Sequence, residues 1–493
     1  SKEKERERER VCVCCVKPVH WHPSHNNINM DVEVEFSFSD AYKTMGGAVP
    51  SPDGTLLASS HRQGVRIQDM NSMAIENLFH CEDAVSAIRW SPDSKFVLCA
   101  QYARGIVQVF SLEDPNWKCR IDEGEAGLTN AIWSPDSRFI LTFAEFQIRL
   151  TVWSLLDSSA KYLRNPKFSG QGHGFSPDGK YFAVAERKDC KDFIHIVSAE
   201  SWEHAGSFHV DTQDLENFSW SPDSASLCVW DTSLTYRLLV YMLDGQKIAD
   251  YSAYDGALGI KSVSWSPNGQ FLAVGSFDNK ARILNNITWK PLTEYSHTST
   301  VTSTTATIFR EVDSKQEMQD PSELYLTADT ASSALPGGNS KYVVESTPVD
   351  LRVVRSDPKR GQMKLGCSVV EWSHDCMYLC TRNDDMPHVL WIWDTSRLCL
   401  VSVLIHLFPV RSVSWAPDRN LLMICCGGPR LYVWSTKGAM CVGIPLDNVN
   451  GTRVQWTADG SACVVSDRNL AVCVCYVGVG EEAVAEEGTG PSA

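Results

Sequence analysis

The stretch AIRWSPDSKFVLCA, residues 87–100, returns as AIWSPDSRFILTFA at 131–144 and as VSWSPNGQFLAVGS at 263–276. Each copy alternates apolar and polar residues, turns at Ser-Pro-Asp, and resumes as a short apolar run. Pro presets the φ that a turn requires, and Asp and Ser bond to nearby backbone, so the phrase reads as a β-hairpin. The turn or its relic recurs at Ser51, Ser91, Ser134, Ser176, Ser221, Ser266, Ser373, Ala416 and Thr457, at steps of 40, 43, 42, 45, 45, 107, 43 and 41 residues. A period this regular confines the chain to a repeat architecture.

Two further landmarks keep the period. Trp90, Trp133, Trp220, Trp265, Trp372, Trp415 and Trp456 stand just before seven of the nine turns; Phe175 and Pro50 take the other two places. Downstream, a β-branched strand ends in an aromatic residue and a small polar one, as in VQVFS, LTVWS and LYVWS, and in VLWIWD with Trp393-Asp394. Units of roughly 40–45 residues closing on Trp-Asp are the signature of four-stranded propeller blades. The chain is read as an all-β WD-repeat β-propeller with nine to ten blade-like repeats, in one large ring or two groups. His80, His209 and His406, which lie 10, 11 and 9 residues before their Trp, are each expected to tie the blade together through bonds to Ser/Thr and Trp.

The repeat sets the domain reading. Residues 1–29, opening SKEKERERER, form a disordered or non-native extension, and Met30 begins a strand leading into blade one. Blades one to six occupy 30–296. The irregular step of 107 places a degenerate blade with a long mobile loop at 297–364. Further blades fill 365–477, and 478–493 is a disordered acidic tail.

A net charge of −15 argues against nucleic acid, whose binding needs Lys and Arg against phosphate. No apolar run approaches the length that spans a bilayer. The 18 cysteines fall largely in apolar strands, where free thiols behave as small hydrophobes, which suits a reducing cytosol.

Several motifs weaken on inspection. GFSPDGKY, Gly174 to Tyr181, mimics a phosphate loop but has Tyr181 where Ser or Thr should bind Mg²⁺, and its glycines belong to a hairpin. CVCCVKPVHWHPSH, Cys12 to His25, has zinc-ligand residue types without zinc-site spacing. No nucleophile–base pair stands apart from the repeat, so no catalytic residue, cofactor or metal is assigned. Trp393-Asp394-Thr395-Ser396-Arg397 puts Arg one place too late for the W-D-x-R of cullin-ligase receptors.

What exceeds the repeat is more informative. AERKDCKD (185–192), DTQDLENFSWSPDS (211–224), YSAYDGALGIKSVSWSP (251–267) and SFDNKARILNNITWK (276–290) are not propeller consensus. They resemble the WRAP-type family, the centrosomal WD-repeat proteins encoded antisense to a p53-family gene. The resemblance is best over 85–295 and returns over 365–435. It implies a non-enzymatic scaffold at centrosome, centriolar satellite and spindle pole. Its implied partner is a coiled-coil microtubule-anchoring protein, joined in fungi by a minus-end-directed kinesin-14. The implied roles are minus-end anchoring, spindle length and orientation, and ciliogenesis. Arg187, Lys188, Asp189, Lys191, Asp192, Asp211, Asp214, Tyr251, Tyr254 and Asp255 are the expected partner-binding residues. The alternative is an adaptor of translation or of a cullin ligase.

Overall fold

The computed structural model describes residues 34–44, 47–61, 63–147, 149–313, 340–354, 364–446, 449–467 and 471–479. Nine sheets of four or more strands, antiparallel but for one pairing, follow one another along these residues, and no α-helix is among them. Each hairpin phrase supplies the inner and second strands of one blade.

The turn is closed by the serine hydroxyl. Ser91 Oγ donates to Asp93 at 2.5 Å and accepts from Phe96 N–H at 2.9 Å. The same double bond recurs at Ser134, Ser176, Ser221 and Ser373. The residue after Asp is left-handed: φ is 60° at Ser94, 61° at Ser137 and 61° at Ser224. Glycine suits that conformation better, but serine adds an acceptor. Asp53 N–H donates to Ser94 Oγ at 3.1 Å, Asp93 N–H to Ser137 Oγ at 3.2 Å and Asp178 N–H to Ser224 Oγ at 3.0 Å. Each of these turns is thereby tied to the next blade's turn.

Tryptophan ties the inner strands. The indole N–H of Trp90 donates to Val49 O at 2.9 Å, Trp133 to Arg89 O at 3.3 Å, Trp220 to Gly174 O at 3.0 Å and Trp372 to Ser264 O at 3.1 Å. Trp415 reaches Glu371 O at 3.2 Å and Trp456 reaches Ser414 O at 3.0 Å. Trp265 differs: its N–H is buried without a partner, and the ring sits edge-on to Trp289. Between successive blades lies one apolar core, nine in all among the described residues. The last joins Leu57 and Met70 of blade one to Ala462, Val464, Val472 and Val474 of blade nine. The blades therefore form one closed ring of nine, not two groups.

Two elements sit elsewhere than the repeat suggested. Val34–Phe38 does not lead into blade one. It pairs antiparallel with Ala471–Val479 as the outer strand of blade nine, burying Phe36 and Phe38, so first and last repeats share a sheet. Nor do the described residues form a degenerate blade between six and seven. Thr307–Asp313 and Ser340–Glu345 form a hairpin whose first strand runs parallel to Cys399–Ile405, extending blade seven to six strands. Two strands cannot cover both faces of a blade, but they can satisfy the open edge of an existing one. Their Glu311 is buried and locks onto blade eight, accepting from Leu407 N–H at 2.9 Å and Tyr432 OH at 2.8 Å, with Arg430 at 3.5 Å. The extension, the zinc-like segment, most of the long loop and residues 480–493 of the acidic tail lie outside the described residues, whereas Gly478 and Val479, expected in that tail, end the strand that pairs with Val34–Phe38.

The expected histidine ties are also misplaced. His80 is exposed, and His209 is half-exposed, edge-on to Phe193. His406 is buried between Tyr342 and Tyr432, without the expected Ser/Thr partner. The tie is made by His297. Trp393 Nε1 donates to Thr381 Oγ1 at 2.8 Å, and His297 Nε2 lies 2.7 Å from that hydroxyl. His297 Nδ1 lies 2.9 Å from Asn279 O. Since Asn279 O only accepts, Nδ1 carries the proton, and Thr381 donates to a neutral Nε2. In blade three Glu123 takes the histidine's place, accepting from Trp153 Nε1 at 3.0 Å and from Arg149 at 3.0 Å.

Two predictions follow from these contacts. Trp→Phe at 90, 220 or 456 removes the inter-blade hydrogen bond and should cost about 1 kcal/mol in denaturant unfolding, whereas Trp265→Phe should cost less; equal losses would contradict the inter-blade bond. Burial lowers His297 to about 4, against about 6.5 for an unfolded histidine. The unfolded chain therefore binds the extra proton, and stability is lost as pH falls from about 6.5 to 4, by on the order of 3 kcal/mol. The stability gap between wild type and His297→Gln should narrow over that range; a gap independent of pH would contradict a neutral buried imidazole.

Candidate partner-binding face

In an antiparallel blade the hairpin between second and third strands opens on the same face as the link to the next blade. Residues 187–192, 211–214 and 251–255 therefore lie together on one face, at blades four, five and six. The structure divides them into those that build the face and those that present it.

Asp192 builds. It is 2% exposed, and its Oδ2 accepts from Leu215 N–H at 2.7 Å and Thr212 Oγ1 at 3.2 Å. Lys167 Nζ makes an ion pair with Asp192 at 3.1 Å and donates to Asp214 Oδ1 at 2.7 Å and Leu215 O at 2.6 Å. Arg187 pairs with Asp214 as well. Burial alone would raise the Asp214 carboxyl, but Lys167 and Arg187 outweigh it and hold it below the usual range. Tyr251 and Tyr254 also build. With Tyr236 they surround the buried Arg282, whose guanidinium lies 5.6 Å from the Tyr236 ring and 5.5 Å from that of Tyr254. Asp278 and Glu294 neutralise that guanidinium at 2.6 and 3.0 Å.

Lys188, Asp189, Lys191 and Asp255 are exposed. The first three cap a projecting hairpin whose tip, Asp189 and Cys190, has φ of 50° and 60°. Two left-handed residues in succession match the twist of the flanking strands, as in a type I′ turn. Asp211 is half-exposed, its carboxylate held low first by the hydrogen bond from Lys247 at 2.8 Å.

Beside this hairpin a groove of about 570 Å³ crosses blades three to five, lined by Phe146, Pro166, Lys167, Phe168, Arg187 and Glu216 among others. Phe146 is 89% exposed with φ of 59°, an uncommon conformation for a bulky residue. Sequence reasoning missed Phe146, Lys167 and Phe168; the only signal was their place in a turn within blade three and in the link from blade three to blade four. Trp393 and Asp394, by contrast, finish a blade: Asp394 Oδ1 accepts from the N–H of Ser396 and Arg397, each at 2.8 Å. Gly174 to Tyr181 is a strand–turn–strand, so its glycines face no helix N-terminus.

Residues 218–307 match the family model described as the anaphase-promoting complex subunit 4 WD40 domain. The WD repeat-containing protein WRAP73 of Mus musculus is 40% identical over 431 residues, covering 87% of this chain and 92% of that one. An uncharacterized WD repeat-containing protein of Schizosaccharomyces pombe is 23% identical over 430 residues, covering 82% of this chain and 83% of its own. Among solved structures, the C-terminal WD40 domain of Sif2 is similar with a TM-score of 0.49 at 10% identity, covering 92% of this chain and 100% of its own. With a fold built from the repeat and 40% identity along most of both chains, the protein belongs to the WRAP73-type family of WD-repeat proteins.

Proposed function

We propose that this protein is a non-enzymatic scaffold of the centrosome and spindle pole. On this reading the ring binds a coiled-coil microtubule-anchoring protein, in some assemblies together with a minus-end-directed kinesin-14. The complex supports minus-end anchoring, spindle assembly, length and orientation, and ciliogenesis in cells that build cilia. The observation that carries the reading is the kinship with the mouse protein over 87% of the chain, joined to the four loop sequences that exceed what a blade needs. Three of those sequences supply the face at blades four to six. Loops held on a rigid scaffold are the usual place for recognition, and here buried ion pairs hold the loops while Lys188, Asp189 and Lys191 stay free to meet a partner. The ionisable groups beneath them are spent on one another, which suits a docking face better than a catalytic one.

Affinity purification of the tagged full chain from mitotic cells should recover a coiled-coil centrosomal protein. Reversing the charges at Lys188, Asp189 and Lys191 together should lower that recovery about tenfold, through slower association and weaker rim contacts, with the melting temperature unchanged. Recovery of ribosomal or cullin-ligase subunits instead would overturn the assignment.

A further inference from the structure

We propose that the groove across blades three to five receives a cationic side chain, arginine above all, from a basic segment of a partner protein. This deepens the docking reading above and rests on it. Three observations converge on it. The first is an unsatisfied aromatic: Phe146 stands 89% exposed at the groove's edge, held there by a left-handed backbone, with no ring or cation against it among the described residues. An outlier of this kind, in a bulky apolar residue, is retained where the conformation serves a contact.

The second is charge. Lys167 and Arg187 are consumed by Asp192 and Asp214 inside the groove wall. That leaves Glu216, half-buried in the lining. Glu216 Oε1 accepts one bond from Gln171 at 3.2 Å and keeps further acceptor capacity. The whole chain carries −15, so the long-range field also favours a basic partner. The third is a local precedent. The neighbouring Phe168 ring lies 5.2 Å from Lys167 Nζ, and on the same face Arg282 sits against tyrosine rings with carboxylates on its other side. The groove has an aromatic face, Phe146, and a carboxylate, Glu216, in its lining, with no cation set against Phe146 among the described residues. A planar guanidinium suits it better than an ammonium, because it stacks on a ring and bonds a carboxylate together.

The test uses the full chain and two labelled probes, the peptide GSLRLRGS and its acidic counterpart GSLELEGS, titrated by fluorescence anisotropy. The arginine probe should bind and the glutamate probe should not. Phe146→Ala and Glu216→Gln should each weaken binding about five- to tenfold, and Asp244→Asn, on the opposite face, should leave it unchanged. Phe146 makes no buried contact to lose, so its variant should fold normally. Equal binding of the acidic probe, or an unchanged affinity in both groove variants, would overturn the proposal. The two readings fail separately. Loss of arginine binding in the variants, with no coiled-coil protein recovered from cells, removes the partner class and keeps the groove. Recovery of that protein by Phe146→Ala at wild-type level removes the groove and keeps the function.

Discussion

The ring depends on one contact, the indole N–H that reaches back to an inner-strand carbonyl one blade earlier. A propeller blade is a small sheet with two apolar faces, and it has no stability apart from its neighbours. Apolar packing between blades is large but non-directional. The indole bond fixes register, so that each Trp lands on the residue before its counterpart and the serine of one turn meets the aspartate of another. Where the bond is absent the ring finds other means. Phe175 packs against Phe182 and Trp202, and Trp265 leans on Trp289. Pro50, which has no such donor, falls where the chain closes on itself through the shared ninth sheet.

Much of this was legible because the period is local. Ser-Pro-Asp and its Trp lie within a few residues of each other, and their partners recur one period away. What could not be read was non-local. Val34–Phe38 alternates like any first strand, and nothing in it says that its partner is Ala471–Val479. The hairpin carrying Glu311 shows strand character but not which edge it will join. His297 went unrecognised for a related reason: the inserted hairpin separates it from Trp372, so the spacing that singled out His80, His209 and His406 could not reach it. Glu123 is the reverse case, a carboxylate doing what spacing assigns to histidine.

The same distinction runs through the docking face. Sequence singled out a run of charged and aromatic loop residues, and the fold brings them to one side. It could not separate support from contact. Asp192 and Tyr254 look as available as Lys188 in a linear reading, yet Asp192 is sealed beneath a loop and Tyr254 is turned toward Arg282. Phe146, which the sequence did not single out, stands in the open. Burial, which decides between these roles, is a property of the ring and not of the repeat.

Hydrogen exchange of the backbone amides in Val34–Phe38 tests the closed ring most directly. If the first and last repeats share one sheet, those of these amides that bond to Ala471–Val479 exchange as slowly as the amides of that strand, because they open only when the ring opens. Fast exchange of those bonded amides beside slow exchange in Ala471–Val479 would mean that the ring is not closed by its first strand, and the account of nine interlocked blades would fail.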